Sequence, residues 1–198
     1  MRATMHFLTA LTRPVMASVL LALAACSASE QAAAPPPLEG AAIGGDFTLT
    51  GEDGEPVSWG DFDGQYRTIY FGYTFCPDVC PVDVGRAMAG LKKFEAASPD
   101  RAAKVQPLFV SVDPERDTPA VLREFTDQFH PRLIGMTGSK EQLDKVTKEF
   151  AAQYSLGEKN EEGGYLVNHT SITYLFGPDG EPIAILPTDA GPDAVAAE

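Results

Sequence analysis

The chain has 198 residues, 44% of them hydrophobic and 22% charged, with a formal net charge of −13. That balance excludes a disordered chain and fits a single globular domain. The acidity excludes nucleic acid and anionic lipid surfaces as electrostatic partners, and leaves basic or metal-bearing proteins open.

In chain order, Arg2 and Arg13 come first, followed by the apolar run "VMASVLLALAAC". Its eleven residues from Val15 to Ala25 fall short of the roughly 20 that a membrane-spanning helix needs. Residues 1–25 therefore read as a secretory signal peptide. The stretch "LAAC", Leu23 to Cys26, resembles the cleavage box of bacterial lipoproteins, in which the cysteine is lipidated and becomes the first residue. An ordinary signal peptide with an incidental Cys26 is the alternative. Residues 26–42 have almost no large side chains to bury and read as a flexible tether, stiffened at Pro35 to Pro37. Residues 43–198 then read as one domain.

Within that domain, "DFTLTGEDGEPVSW" holds two short strand-like pieces around Asp53-Gly54, a hairpin turn signal. "RTIYFGYT" is a continuous apolar, β-branched and aromatic run, the signature of a buried central strand. "VDVGRAMAGLKKFEAA" places Val84, Met88, Leu91 and Phe94 at helical spacing. "KVQPLFVSVD" is a second buried strand, and "TPAVLREFTDQF" a helix capped by Thr118 with Pro119 at its first position. "LIGMTG" is a third strand and "SKEQLDKVTKEFAAQY" a helix capped by Ser139. "TSITYLFGPDGEPIAIL" closes the series as two strands joined by the turn Gly177 to Gly180. Alternating strands and helices predict an α/β fold: a right-handed crossover sheet with an N-terminal β-hairpin and a late hairpin added to it. In such sheets function gathers at the carboxyl ends of strands, where Cys76 and Asp113 both fall.

The chain has three cysteines. If Cys26 is lipidated, the exported domain holds one pair, Cys76 and Cys80, in a compartment that allows a disulfide. Their loop is too short for a disulfide to add much stability by chain entropy. Pro77 and Pro81 predict a helix beginning at Pro81 with Cys80 as its cap. A sulfur at a helix N-terminus is favoured as thiolate, the form that attacks disulfides and binds metals. The spacing of three, one more than in thioredoxin, lets both sulfurs point at a third atom. His130 reads as a solvated loop residue. His169 follows the polar, glycine-rich "EKNEEGG" and precedes a strand, so its loop can carry the imidazole to a neighbouring site or leave it on the surface. Two thiolates and one imidazole form a soft set that suits copper, whereas structural zinc wants four closed ligands.

Three motifs, "YFGYTFCPDVCP" (70–81), "SVDPERDTP" (111–119) and "YLVNHTSITYLFGPDG" (165–180), together resemble the Sco/SenC family of copper-delivery proteins. The likeness runs from about Asp46 to Ile185. It implies a thioredoxin-like fold, attachment to a membrane outside the cytoplasm, and delivery of copper to the binuclear centre of cytochrome c oxidase subunit II. It also implies that Cys76, Cys80 and His169 bind copper, as Cu(I) and as Cu(II). Asp113 matches an acidic position of the family, either in a supporting shell around the metal or as the turn residue before Pro114. Two positions depart from the pattern. Phe75 stands where many members carry histidine, and Asn168 replaces the acidic residue before the ligand histidine, which puts the imidazole's orientation in question. The family's final helix is represented here by the short "GPDAVAAE".

The expected protein is a lipid-anchored monomer on the periplasmic side of a bacterial membrane, a copper chaperone whose Cys76–Cys80 disulfide is its metal-free off state. Two alternatives stay open. One is a thiol-disulfide reductase with Cys76 as nucleophile and Cys80 as resolver, acting on the cysteines of the oxidase copper site. The other is a copper or redox sensor.

Overall fold

The structure is a computed structural model, and it describes residues 34–198. The segment expected as signal peptide, Cys26 and the first part of the expected tether lie outside the described residues. Among those described, no helix is long and apolar enough to cross a membrane.

The predicted hairpin is β1 (Thr48–Gly51) and β2 (Pro56–Ser58), antiparallel, with Leu49 opposite Val57. Gly54 takes φ 87° in the turn, a left-handed conformation that favours glycine. A short 3-10 turn, Trp59–Phe62, leads to β3 (Tyr66–Gly72). Then come α1 (Val79–Ala97), the single-turn α2 (Pro99–Ala102), β4 (Val105–Ser111), α3 (Pro119–Thr126), β5 (Ile134–Thr137) and α4 (Lys140–Glu149). The chain closes with β6 (Tyr154–Leu156), β7 (Val167–His169), β8 (Thr173–Phe176), β9 (Pro182–Ile185) and α5 (Pro192–Ala197).

Seven strands form one sheet in the order β2-β1-β5-β4-β3-β8-β9. β3, β4 and β5 run parallel, and β8 and β9 add as the antiparallel late hairpin. The order β4-β3-β8-β9, with α1 crossing between the parallel pair, is the thioredoxin-like arrangement. Leu38 donates its N–H to the Ile183 carbonyl at 3.0 Å, so backbone bonding to the domain begins inside the stretch expected as tether.

Alternation along β3 separates two cores. Tyr70 stacks on Phe109 of β4 with centroids 6.2 Å apart, and Phe109 meets Phe125 of α3, on the face that α1 covers. Phe71 points the other way, into a cluster with Phe47, Trp59, Phe150 and Phe176. α3 and α4 start where their caps require: Thr118 Oγ1 accepts from the Val121 N–H, and Ser139 exchanges hydrogen bonds with Gln142.

Three sequence expectations are corrected. α1 begins at Val79, two residues before Pro81. A proline is tolerated within the first turn because those N–H groups have no intrahelical acceptor. Cys80 is therefore inside the helix and the cap position is Asp78, while the Cys76 sulfur accepts the Cys80 N–H at 3.5 Å. His130 is buried rather than solvated. Its Nε2 lies 3.3 Å from Glu95 Oε2, its Nδ1 accepts the Arg132 N–H, and Arg132 itself pairs with Glu95. The turn after α3 is drawn under α1, where Lys92 caps the Phe129 carbonyl. Finally, His169 ends a strand of its own, because β6 and β7 form a separate ribbon with Tyr154 opposite His169. Three-residue strands carry too little alternation to be read in advance.

Candidate metal centre

β3 ends at Gly72, and the chain turns over residues 73–76 with the Cys76 N–H bonded to the Tyr73 carbonyl. This puts Cys76 at the mouth of α1 and Cys80 one turn in, beneath the sheet end. Gly72 is needed there, since a Cβ on it would meet Cys80 Sγ at 2.8 Å and the Tyr70 ring at 2.8 Å. Cys80 is fully buried and Cys76 is 9% exposed; both are free thiols.

The ribbon brings His169 to the same point. Its Nε2 is 3.0 Å from Cys80 Sγ, although 89 residues separate the two in sequence. The ligand atoms of Cys76, Cys80 and His169 all lie within 4.8 Å of one another. His169 Nδ1 donates to the Thr170 carbonyl at 3.3 Å, which leaves the Nε2 lone pair facing the sulfur. The imidazole is further held edge-on by Tyr70 and Tyr73, with centroids 6.0 and 5.8 Å away. The backbone thus supplies the orientation that an acidic neighbour was expected to give. Asn168, on the opposite face of β7, is exposed and reaches only toward Ser155.

The two sulfurs differ electrostatically. Burial opposes ionisation of Cys76, yet hydrogen bonds from the Cys80 and Asp78 backbone N–H groups and from the Cys80 and Tyr73 side chains hold its thiol below the ordinary value. Burial pushes the Cys80 thiol well up, and the neighbouring Cys76 charge adds to the effect. Burial thus favours the neutral thiol at Cys80, whose sulfur lies 3.0 Å from His169 Nε2. A thiophilic metal held by Cys76, Cys80 and His169 would take the place of the thiol proton.

Asp113 makes no hydrogen bond to any of the three candidate ligands. Its carboxylate accepts from Arg116 Nε at 2.5 Å and from the Tyr165 hydroxyl at 2.7 Å. Two neighbours escaped the sequence reading. Asp117 is fully buried and accepts from Thr74 N, Thr74 Oγ1 and Ser111 Oγ; burial raises its carboxyl above the usual range. Arg116 lays its guanidinium over Tyr165 at 3.7 Å and over Phe75 at 5.1 Å. "SVDPERD" offers no local signal for either role, because Thr74, the further partner of Asp117, and Tyr165, the further partner of Arg116, lie on other segments. Phe75, where a histidine was noted as missing, is 52% exposed, as are Val79 and Val82 in part.

Fold and site together define a thioredoxin-like protein with a thiol–thiol–imidazole centre suited to a soft metal. The family model described as SCO1/SenC matches residues 35–198. The chain is 44% identical over 144 residues to "Protein SCO2 homolog, mitochondrial" of Mus musculus, covering 72% of this chain and 56% of that protein. It is 41% identical over 156 residues to "Protein SenC" of Rhodobacter capsulatus, covering 79% of this chain and 68% of that one. The solved structure of Arabidopsis thaliana ScoI with copper bound superposes with a TM-score of 0.73 at 36% identity, over 79% of this chain and 94% of that one. The chain belongs to the SCO1/SenC family. It spans about half the length of the mitochondrial relatives it matches.

Proposed function

We propose that the protein is a copper chaperone that binds copper through Cys76, Cys80 and His169 and delivers it to the binuclear centre of cytochrome c oxidase subunit II. The convergence of three soft ligand atoms within 4.8 Å carries this reading. The donor set fits copper, and the similar Arabidopsis protein is solved with copper bound. Transfer proceeds by ligand exchange: acceptor thiolates replace the protein's ligands one at a time, and copper is never free. Oxidation of Cys76 and Cys80 to a disulfide is the state that releases or refuses metal. The exposed apolar side chains of Phe75, Val79 and Val82 beside the cysteines support a protein as acceptor.

Anaerobic copper titration of the reduced protein tests the site. One copper per chain is expected, with sulfur-to-copper absorption that changes in His169→Ala; binding indifferent to His169 would sink the three-ligand assignment. The unequal thiols favour one second reading, a reductase with Cys76 as nucleophile and Cys80 as resolver. Weak copper binding combined with reduction of a disulfide substrate would select it. We further propose residues 1–25 as signal peptide, Cys26 as lipidation site, 26–42 as tether and 43–198 as a monomeric periplasmic domain. Metabolic labelling with palmitate checks the anchor: label is expected on the wild type and absent from Cys26→Ala, and equal labelling of both would refute it.

A further inference from the structure

The loop between β4 and α3, residues 111–117, touches none of the three ligands by hydrogen bond, yet it binds both segments that carry them. On one side is Asp117, buried completely. Thr74 N–H donates to its Oδ2 at 3.0 Å, Thr74 Oγ1 to its Oδ1 at 2.6 Å, and Ser111 Oγ to its Oδ2 at 2.5 Å. Thr74 is two residues before Cys76. Ser111 Oγ already accepts the Asp113 N–H, so its own proton has to go to Asp117. Three donors converge on one acceptor-only group, and all three are neutral. A buried carboxylate with neutral partners is a costly way to stabilise a fold. An oxygen-rich acceptor that pins two loops together is what it supplies.

On the other side is Arg116. Its Nε is anchored on Asp113, its Nη1 donates to the Tyr165 carbonyl at 2.9 Å, and its face covers the Tyr165 ring. Tyr165 enters β7, the strand that ends at His169. The same guanidinium lies over Tyr73 and Phe75, in the turn that leads to Cys76. Adjacent residues of one loop thus hold the cysteine arm and the histidine arm.

We propose that Asp117 and Arg116 are positioning residues: Asp117 sets the cysteine turn and Arg116 sets the histidine strand, so that the three ligand atoms are preorganised before metal arrives. Preorganisation raises affinity by removing the cost of ordering ligands at binding, and the partners of ligands typically carry 10–100-fold in metal affinity. This rests on the copper reading, but one arm of its test needs no metal.

In metal-free protein, the Cys76–Cys80 couple is equilibrated with glutathione, protein dithiol plus oxidised glutathione giving protein disulfide plus two reduced glutathiones. Asp117 holds the geometry of the dithiol form, so Asp117→Ala is expected to shift this equilibrium about tenfold toward the disulfide, roughly 30 mV for two electrons. Asp117→Asn, which keeps an oxygen for the Thr74 N–H, should recover most of the wild-type equilibrium. A folded Asp117→Ala with the wild-type equilibrium overturns this arm. If that variant does not fold, Thr74→Val, which deletes one donor at the edge of the cluster, should shift the equilibrium in the same direction by a smaller factor, and no shift again overturns it. With copper, Arg116→Leu is expected to lose affinity about tenfold in the wild-type background and to lose none in a His169→Ala background, where there is no imidazole left to position. Equal losses in both backgrounds refute the role of Arg116.

Discussion

Replacing Cys76 or Cys80 with alanine is expected to lower copper affinity on the order of 1,000-fold, measured by competition with a copper(I) chelator in the absence of oxygen. Structural zinc sites in peptides bind with about 10–16 kcal/mol; on that scale a site of about 12 kcal/mol shared by three ligands gives about 4 kcal/mol each, or three powers of ten. A double mutant that still held copper tightly would refute the site. The single mutants should differ in other respects. Cys76→Ala also removes the acceptor of the Cys80 N–H at the start of α1. The folded state holds the Cys76 thiol below its unfolded value. Its ionisation therefore adds stability that is fully present above the unfolded thiol range, about pH 8.5, and is lost as pH falls through the depressed folded value. The stability gap between wild type and Cys76→Ala should widen from pH 6 to pH 9 in urea unfolding. A gap that narrowed would contradict the sign of the shift.

Phe150→Ala is the second large effect, a loss of about 3–5 kcal/mol of folding stability, of the kind seen when a buried aromatic is truncated. Phe150 is fully buried, and its ring meets Phe47, Trp59, Phe71 and Phe176 at centroid distances of 5.2 to 5.8 Å. At roughly 2–4 °C per kcal/mol for a domain of this size, the melting temperature should fall by about 6–20 °C. The cluster lies on the face of the sheet opposite Tyr70 and Cys80. At a temperature where the variant is folded, its copper stoichiometry should therefore match the wild type, which isothermal titration can check. A drop of less than 2 °C would mean that the cluster is not the principal core of that face.

How much of this was legible beforehand follows from the range over which each feature is determined. The strand "RTIYFGYT", the Asp53-Gly54 turn and the caps Thr118 and Ser139 depend on neighbours within a few residues, and the structure bears them out. Pro81 misled about the start of α1 because first-turn prolines are compatible with several registers. His130 and its partner Glu95 are 35 residues apart, so nothing near "FHPRL" announced the burial. Asp117 and Arg116 were passed over for the same reason, although the motif that contains them was read.

Residue chemistry and local periodicity alone therefore determined the two hairpins and the alternating strands and helices between them, the crossover sheet, the cysteine pair at a strand's carboxyl end and the soft character of the donor set. The tertiary structure decided which histidine joins the sulfurs, what orients the imidazole and which loop holds the two arms together. Those outcomes depend on distances between segments as far as 99 residues apart. Such distances arise from sheet order and from the packing of both faces at once, and no window of sequence contains them.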